Sequence, residues 1–104
     1  MKTISRAHYQ LLVALEAHPT VSEAAEVLAI TQSAASQRLK EAERRLNLEL
    51  VERHGKSVSL TAVGSHLAKS GREAEEMLSR AEIEAQWMAR GKQKKVRIAV
   101  SSYD

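Results

Sequence analysis

Thr20-Val21-Ser22-Glu23-Ala24-Ala25-Glu26-Val27-Leu28-Ala29-Ile30-Thr31-Gln32-Ser33-Ala34-Ala35-Ser36-Gln37-Arg38-Leu39 is the stretch on which the fold turns. Its first four residues read as a capping box, in which the Thr20 hydroxyl accepts from the Glu23 amide while Glu23 reaches back. Behind the box, Val21, Ala24, Ala25 and Leu28 stand at i, i+3, i+4 and i+7, the buried stripe of a short amphipathic helix. That helix ends near Ala29-Ile30, and Thr31 offers a fresh N-cap at once, so no long loop fits between. Ala35, Leu39, Ala42 and Leu46 then recur at steps of four, three and four and give the next helix its buried face. Asn47 ends it, because Asn tolerates positive φ better than most residues. Two helices joined by so short a turn, the first lined with alanine so that its neighbours approach closely, form a helix-turn-helix pattern.

Upstream, Ser5 caps a helix whose apolar stripe is Ile4, Ala7, Leu11, Leu12, Val13 and Leu15, and Pro19 stops it just after His18. Downstream the period changes. Leu48, Leu50, Val58 and Leu60 alternate with polar neighbours around a His54-Gly55-Lys56 hairpin tip, which predicts a two-stranded wing. From Thr61 to about Arg90-Gly91 a helical pattern returns, with Leu67, Gly71, Ala74, Leu78, Ala81, Ala85 and Met88 in a heptad-like seam. At a rise of 1.5 Å per residue this helix is roughly 40 Å long. The preceding domain cannot cover it, and the simplest partner for the seam is a second copy of the chain. Gly91-Lys92-Gln93-Lys94-Lys95 reads as a basic linker and Val96 to Val100 as an opening strand, so the chain reads as a fragment ending shortly after a domain boundary.

Composition narrows the function. A chain of 104 residues, 43% hydrophobic and 28% charged, is a folded domain with an extension rather than a disordered tail. It has no Cys, hence no disulfide framework and no thiolate nucleophile or zinc ligand. The longest fully apolar run, Leu11 to Leu15, is too short for a membrane span or a signal-peptide core, which points to a cytoplasmic protein. His8, His18, His54 and His66 share no metal-ligand spacing, and Gly55, Gly64, Gly71 and Gly91 form no phosphate-cradling loop, so no enzyme is expected. Only Tyr9, Trp87 and Tyr103 are aromatic, too few to stack the bases of single strands. The net charge of +3 does not by itself declare a nucleic-acid partner. Residues 1 to 60 hold eight cations against seven glutamates, so binding would rest on where the cations lie.

A helix-turn-helix protein sets the start of its second helix in the major groove. Here that start supplies Thr31, Gln32, Ser33, Ser36, Gln37, Arg38 and Lys40. Gln pairs with adenine, Ser serves several bases, and Arg and Lys suit phosphate or guanine. Arg53 and Lys56 flank the wing tip, where cations reach phosphates or a narrow minor groove. The plainer alternatives are a solvated helix face, an Arg53 paired with Glu49 or Glu52, and an Arg45 paired with Glu41 at i, i+4.

In this order the sequence resembles the N-terminal region of LysR-type transcriptional regulators. The likeness is carried by Thr20 to Ala25 with Leu28, Thr31 to Ser36, Glu43-Arg44-Arg45-Leu46, and Leu60-Thr61-Ala62-Val63-Gly64. The resemblance implies a mainly α fold: a winged helix-turn-helix over residues 1–60, a linker and dimerisation helix over 61–90, and over 91–104 a hinge with the first strand of a truncated effector-binding domain. It implies a bacterial repressor or activator that binds double-stranded DNA as a homodimer through antiparallel linker helices, with tetramers common among full-length chains. It also implies no cofactor in this fragment and a small-molecule effector held by the C-terminal domain. By motif position Gln32, Ser33 and Ser36 correspond to DNA-contacting positions and Arg53 to the wing arginine. The sequence departs from the family's pattern at Ser33, where many members have Pro, at Asn47 for Gly, at Val51 for Phe, and in the order Gln37-Arg38. The rival reading is a helical homodimerisation or protein-interaction module without DNA binding.

Overall fold

Each of the first three helices starts behind a hydroxyl side chain. The computed structural model describes residues 2–94, and in it α1 (Arg6–Ala17), α2 (Val21–Val27) and α3 (Gln32–Leu46) are followed by β1 (Val51–His54), β2 (Ser57–Leu60) and α4 (Ala62–Lys94). Thr20 Oγ1 accepts from the Glu23 amide at 3.0 Å and Thr31 Oγ1 from the Ala34 amide at 3.0 Å. At α1 the return half of the box is made by histidine. The Ser5 amide donates to Nδ1 of His8 at 2.9 Å, where Glu or Gln would ordinarily stand.

The turn between α2 and α3 is held by a left-handed Ala29 with φ 58°. The Ala29 amide donates to the Glu26 carbonyl at 3.1 Å and the Ile30 amide to the Ala25 carbonyl at 3.0 Å, the two bonds of a Schellman closure. That site favours glycine, since a Cβ in this conformation crowds the carbonyl. Ala29→Gly should therefore stabilise the domain by about 0.5–1 kcal/mol, read as a rise of a few degrees in Tm. A fall in Tm would contradict this account of the turn. Asn47 closes α3 in the same conformation, φ 57° and ψ 46°, as its side chain predicts.

The core gathers Leu11, Leu12 and Leu15 of α1, Val21, Ala24 and Ala25 of α2, Ala35, Leu39 and Ala42 of α3, and Leu50, Val51 and Val58 around the wing. A leucine buried this fully contributes about 1.5–3 kcal/mol, while the alanines let α2 and α3 approach closely. The alternation expected over Leu48 and Leu50 is not what forms. Leu48 is exposed, and Leu50 and Val51 are buried in succession. The reason is local: Leu50 precedes the strand, its amide donating to Glu43 Oε2 at 2.8 Å and its carbonyl accepting from Thr61 at 3.0 Å. The ladder starts only at Val51, pairing it with Leu60, Glu52 with Ser59, Arg53 with Val58 and His54 with Ser57. A lone hairpin is marginal in water. This one packs through Val51 and Val58, and the Val58 amide donates to the Pro19 carbonyl at 2.7 Å.

The chain divides into two compact units, the boundary lying between Arg72 and Glu73 within α4. In the first unit α4 lies close against the domain. Ala68 is fully buried, and Leu67 packs against the core. A Cβ at Gly71 would lie 3.1 Å from Cβ of Tyr9. Arg72 grips Glu16 with Nε at 3.0 Å and Nη2 at 3.3 Å. Two members of the expected dimer seam, Leu67 and Gly71, are thus taken up by the chain's own domain, because the heptad spacing continues the face that α4 turns to α1. In the second unit Ala74, Leu78, Ala81, Ala85 and Met88 are all exposed. The helix also runs on through Gly91 to Lys94, where a linker was expected. One glycine costs a helix only about 1 kcal/mol. The strand expected over Val96 to Val100, and with it most of the segment 91–104, lies outside the described residues. No described helix is long and apolar enough to cross a membrane.

Candidate nucleic-acid interface

The four-residue link between α2 and α3, Leu28 to Thr31, brings the first turn of α3 beside the start of α2, and the wing completes the third wall. Gln32 and Ser36, one helical turn apart, line a cleft of about 470 Å³ together with Thr20, Val21, Ser22, Arg53, Gly55, Lys56 and Val58. Hydroxyl, amide, guanidinium and ammonium groups meet there, and no carboxylate is among its lining residues. Arg53 is placed by register, opposite the buried Val58. Lys56 is placed by the two-residue tip, whose first position, Gly55, has φ +64° and so favours glycine. His54 turns back on the hairpin, its Nε2 lying 3.0 Å from Ser59 Oγ.

The remaining candidates divide. Gln37, Arg38 and Lys40 line a second cleft of about 570 Å³ with Ala34, Glu41 and Arg44. Thr31 spends its hydroxyl oxygen on the Ala34 amide, and Ser33 is exposed in the first turn. The expected list therefore holds two sets, one facing the wing and one facing away from it. Among the described residues no group of three His, Asp or Glu could hold a metal ion.

The near balance of charge in residues 1 to 60 is resolved by placement. Glu16 is held by Arg72, Glu43 by the Leu50 amide, and Glu41 by His8, whose Nε2 lies 2.9 Å from Oε1. Three carboxylates are thereby committed to contacts within the fold while Arg53 and Lys56 face the first cleft. The hydrogen bond from His8, helped by the charges of Arg45 and Arg44, holds the Glu41 carboxyl below the ordinary glutamate range. Arg45 itself donates from Nε to the Thr3 carbonyl at 2.8 Å, tying down the segment before α1 rather than pairing simply with Glu41.

His8 is the residue the sequence reading undervalues. It is 7% exposed, a buried link between α1 and α3. The available signal was its place three residues after Ser5, the box position ordinarily held by Glu or Gln. Ser22, in the first cleft, and Arg44, in the second, carry no signal beyond their helical offsets.

Comparison with known proteins follows the same lines. The family model for bacterial regulatory helix-turn-helix proteins of the lysR family matches residues 7–65. Over 65 residues the chain is 43% identical to the HTH-type transcriptional regulator CysB of Thiocapsa roseopersicina, covering 62% of this chain and 48% of that protein. It is 38% identical to the HTH-type transcriptional regulator GbpR of Azospirillum brasilense, covering 62% of this chain and 19% of that protein. The chain thus spans less than half the length of either relative. Among solved structures, the BenM DNA-binding domain in complex with benA site 1 DNA is similar with TM-score 0.78 at 22% identity, covering 85% of this chain and 99% of that one. At that identity the likeness is one of fold. The full-length LTTR LysG from Corynebacterium glutamicum is similar with TM-score 0.67 at 28% identity, covering 84% of this chain and 29% of that one.

Proposed function

The chain belongs to the lysR family of bacterial regulatory helix-turn-helix proteins, and from that premise we propose that it binds double-stranded DNA sequence-specifically and regulates transcription in the cytoplasm. The observation that carries this reading is the cleft shared by Gln32, Ser36, Arg53 and Lys56, in which base-reading groups and cations converge without a carboxylate. The start of α3 enters a major groove, with Gln32, Ser33 and Ser36 toward base edges. Arg53 and Lys56 take the flanking backbone or minor groove, and Gln37, Arg38 and Lys40 serve phosphates on the other side of α3. A homodimer forms through the exposed part of the seam, Ala74, Leu78, Ala81, Ala85 and Met88, and a longer parent chain assembles further, to a tetramer. One LysG structure carries a bound effector Arg; an effector of the parent regulator is assigned to the part of the family that this chain does not span.

The test is a selection from random duplexes read by sequencing. Wild type should yield half-sites whose spacing and symmetry report a dimer. Gln32→Ala and Ser36→Ala should each flatten preference at one position of the half-site, by about 1–3 kcal/mol per lost contact. Unchanged preferences in both variants would remove these residues from the interface.

A further inference from the structure

Glu41 is the one carboxylate among the residues lining the second cleft, beside Arg38, Lys40 and Arg44. On the surface of α3 it stands three residues from Arg38 and Arg44 and four from Arg45, within ion-pairing reach of each. It is turned elsewhere: Oε1 lies 2.9 Å from Nε2 of His8 on α1. His8 in turn has little freedom, being buried with Nδ1 accepting from the Ser5 amide at 2.9 Å. A backbone N–H only donates, so Nδ1 carries no proton and the Nε2–H is the donor to Glu41.

Resting on the DNA-binding reading above, we propose that His8 is a positioning residue for the interface: by holding the Glu41 carboxylate toward α1, it keeps Arg38 and Arg44 available to DNA phosphates. Without that bond Glu41 folds back onto the cations of its own helix. The protein then meets the duplex with fewer free positive charges. His8 touches no DNA in this scheme; it acts through Glu41.

The experiment measures binding of the 104-residue chain to a fluorescein-labelled duplex of mixed sequence by anisotropy, from about 50 to 200 mM KCl, where the slope of log affinity against log salt counts phosphate contacts. His8→Ala should weaken binding several-fold at 0.1 M salt and lower the slope by about 1, the equivalent of one lost contact. Adding Glu41→Gln to His8→Ala should restore both, because a neutral amide does not compete for arginine. Glu41→Asp, which keeps the charge but shortens its reach to His8, should weaken binding as His8→Ala does and serves where His8→Ala does not fold. His8→Gln, which preserves the cap and a donor, should bind as wild type. The proposal is overturned if the double variant stays as weak as His8→Ala, since the loss is then structural, or if Glu41→Asp binds as Glu41→Gln does. A wild type without salt-dependent duplex binding would overturn the DNA-binding reading itself, and this proposal with it.

Discussion

Gly64→Ala should cost the domain about 3 kcal/mol or more, the upper end of what overpacking does. A Cβ at Gly64 would collide with the Leu50 carbonyl oxygen and lie 3.1 Å from the carbonyl carbon. The obstacle is backbone, so no rotamer change relieves it. That carbonyl is fixed from the other side as well, accepting the Thr61 amide at 3.0 Å. Thr61 Oγ1 meanwhile donates to the Glu49 carbonyl at 2.8 Å and accepts from the Gly64 amide at 3.1 Å. Relief requires α4 to withdraw, which drags Ala68 from its buried seat and loosens Gly71 against Tyr9. A domain of this size has only about 5 kcal/mol or somewhat more in total, so urea denaturation followed by circular dichroism should show the midpoint falling by at least 1 M or so, or no folded baseline at all. Gly91→Ala is the control, since nothing lies within 4 Å of its Cβ position and the site is helical. There alanine should be neutral or stabilising by up to about 1 kcal/mol. A Gly64 variant as stable as wild type would show that α4 is not seated on Leu50 in solution.

What the sequence discloses about this fold follows from how local each cause is. Ser5, Thr20, Thr31 and Asn47 act within one turn of their own helices, and all four stand at the boundaries their chemistry predicts. The stripe Ala35, Leu39, Ala42 and Leu46 is likewise a property of one helix; its first three members are buried and Leu46 is half-buried. Periodicity states that a face is covered but not by what. Leu67 and Gly71 share a spacing with Ala74 and Leu78, yet the first two meet the chain's own core and Tyr9. The candidate site shows the same division. That Gln32, Ser36 and Arg53 share a cleft depends on the bond from the Val58 amide to the Pro19 carbonyl, which sets the wing beside α2 and which no local pattern encodes. Gln37, only one residue beyond Ser36, faces the other cleft because a helix turns about 100° per residue. His8 and Glu41 are 33 residues apart, and their bond exists only once α1 and α3 are packed.

Removing both wing cations should have the largest effect on binding. Arg53 and Lys56 are exposed at the end of the wing, Lys56 within its two-residue tip, and both line the first cleft. Neither carries the hairpin's packing, which rests on Val51 and Val58, so Arg53→Gln with Lys56→Gln should leave the fold intact. If each cation neutralises one phosphate, its loss removes about 0.9 from the salt slope of log affinity, so the pair removes nearly 2. Extrapolated from 1 M salt, where the ionic contribution vanishes, this amounts to a loss of roughly 50-fold in affinity at 0.1 M. The loss should be uniform across duplex sequences, because phosphates are the same at every step, in contrast to the position-specific loss expected for Gln32→Ala. A wing that reads a narrow minor groove gives a different pattern: the loss is then concentrated on duplexes with A·T tracts beside the half-site, where the negative potential is deepest. Titrating the double variant against duplexes that differ only in that flank separates the two. An unchanged slope with unchanged affinity would mean that the wing stands clear of DNA, and the cations that matter would then be Arg38, Lys40 and Arg44 of the second cleft.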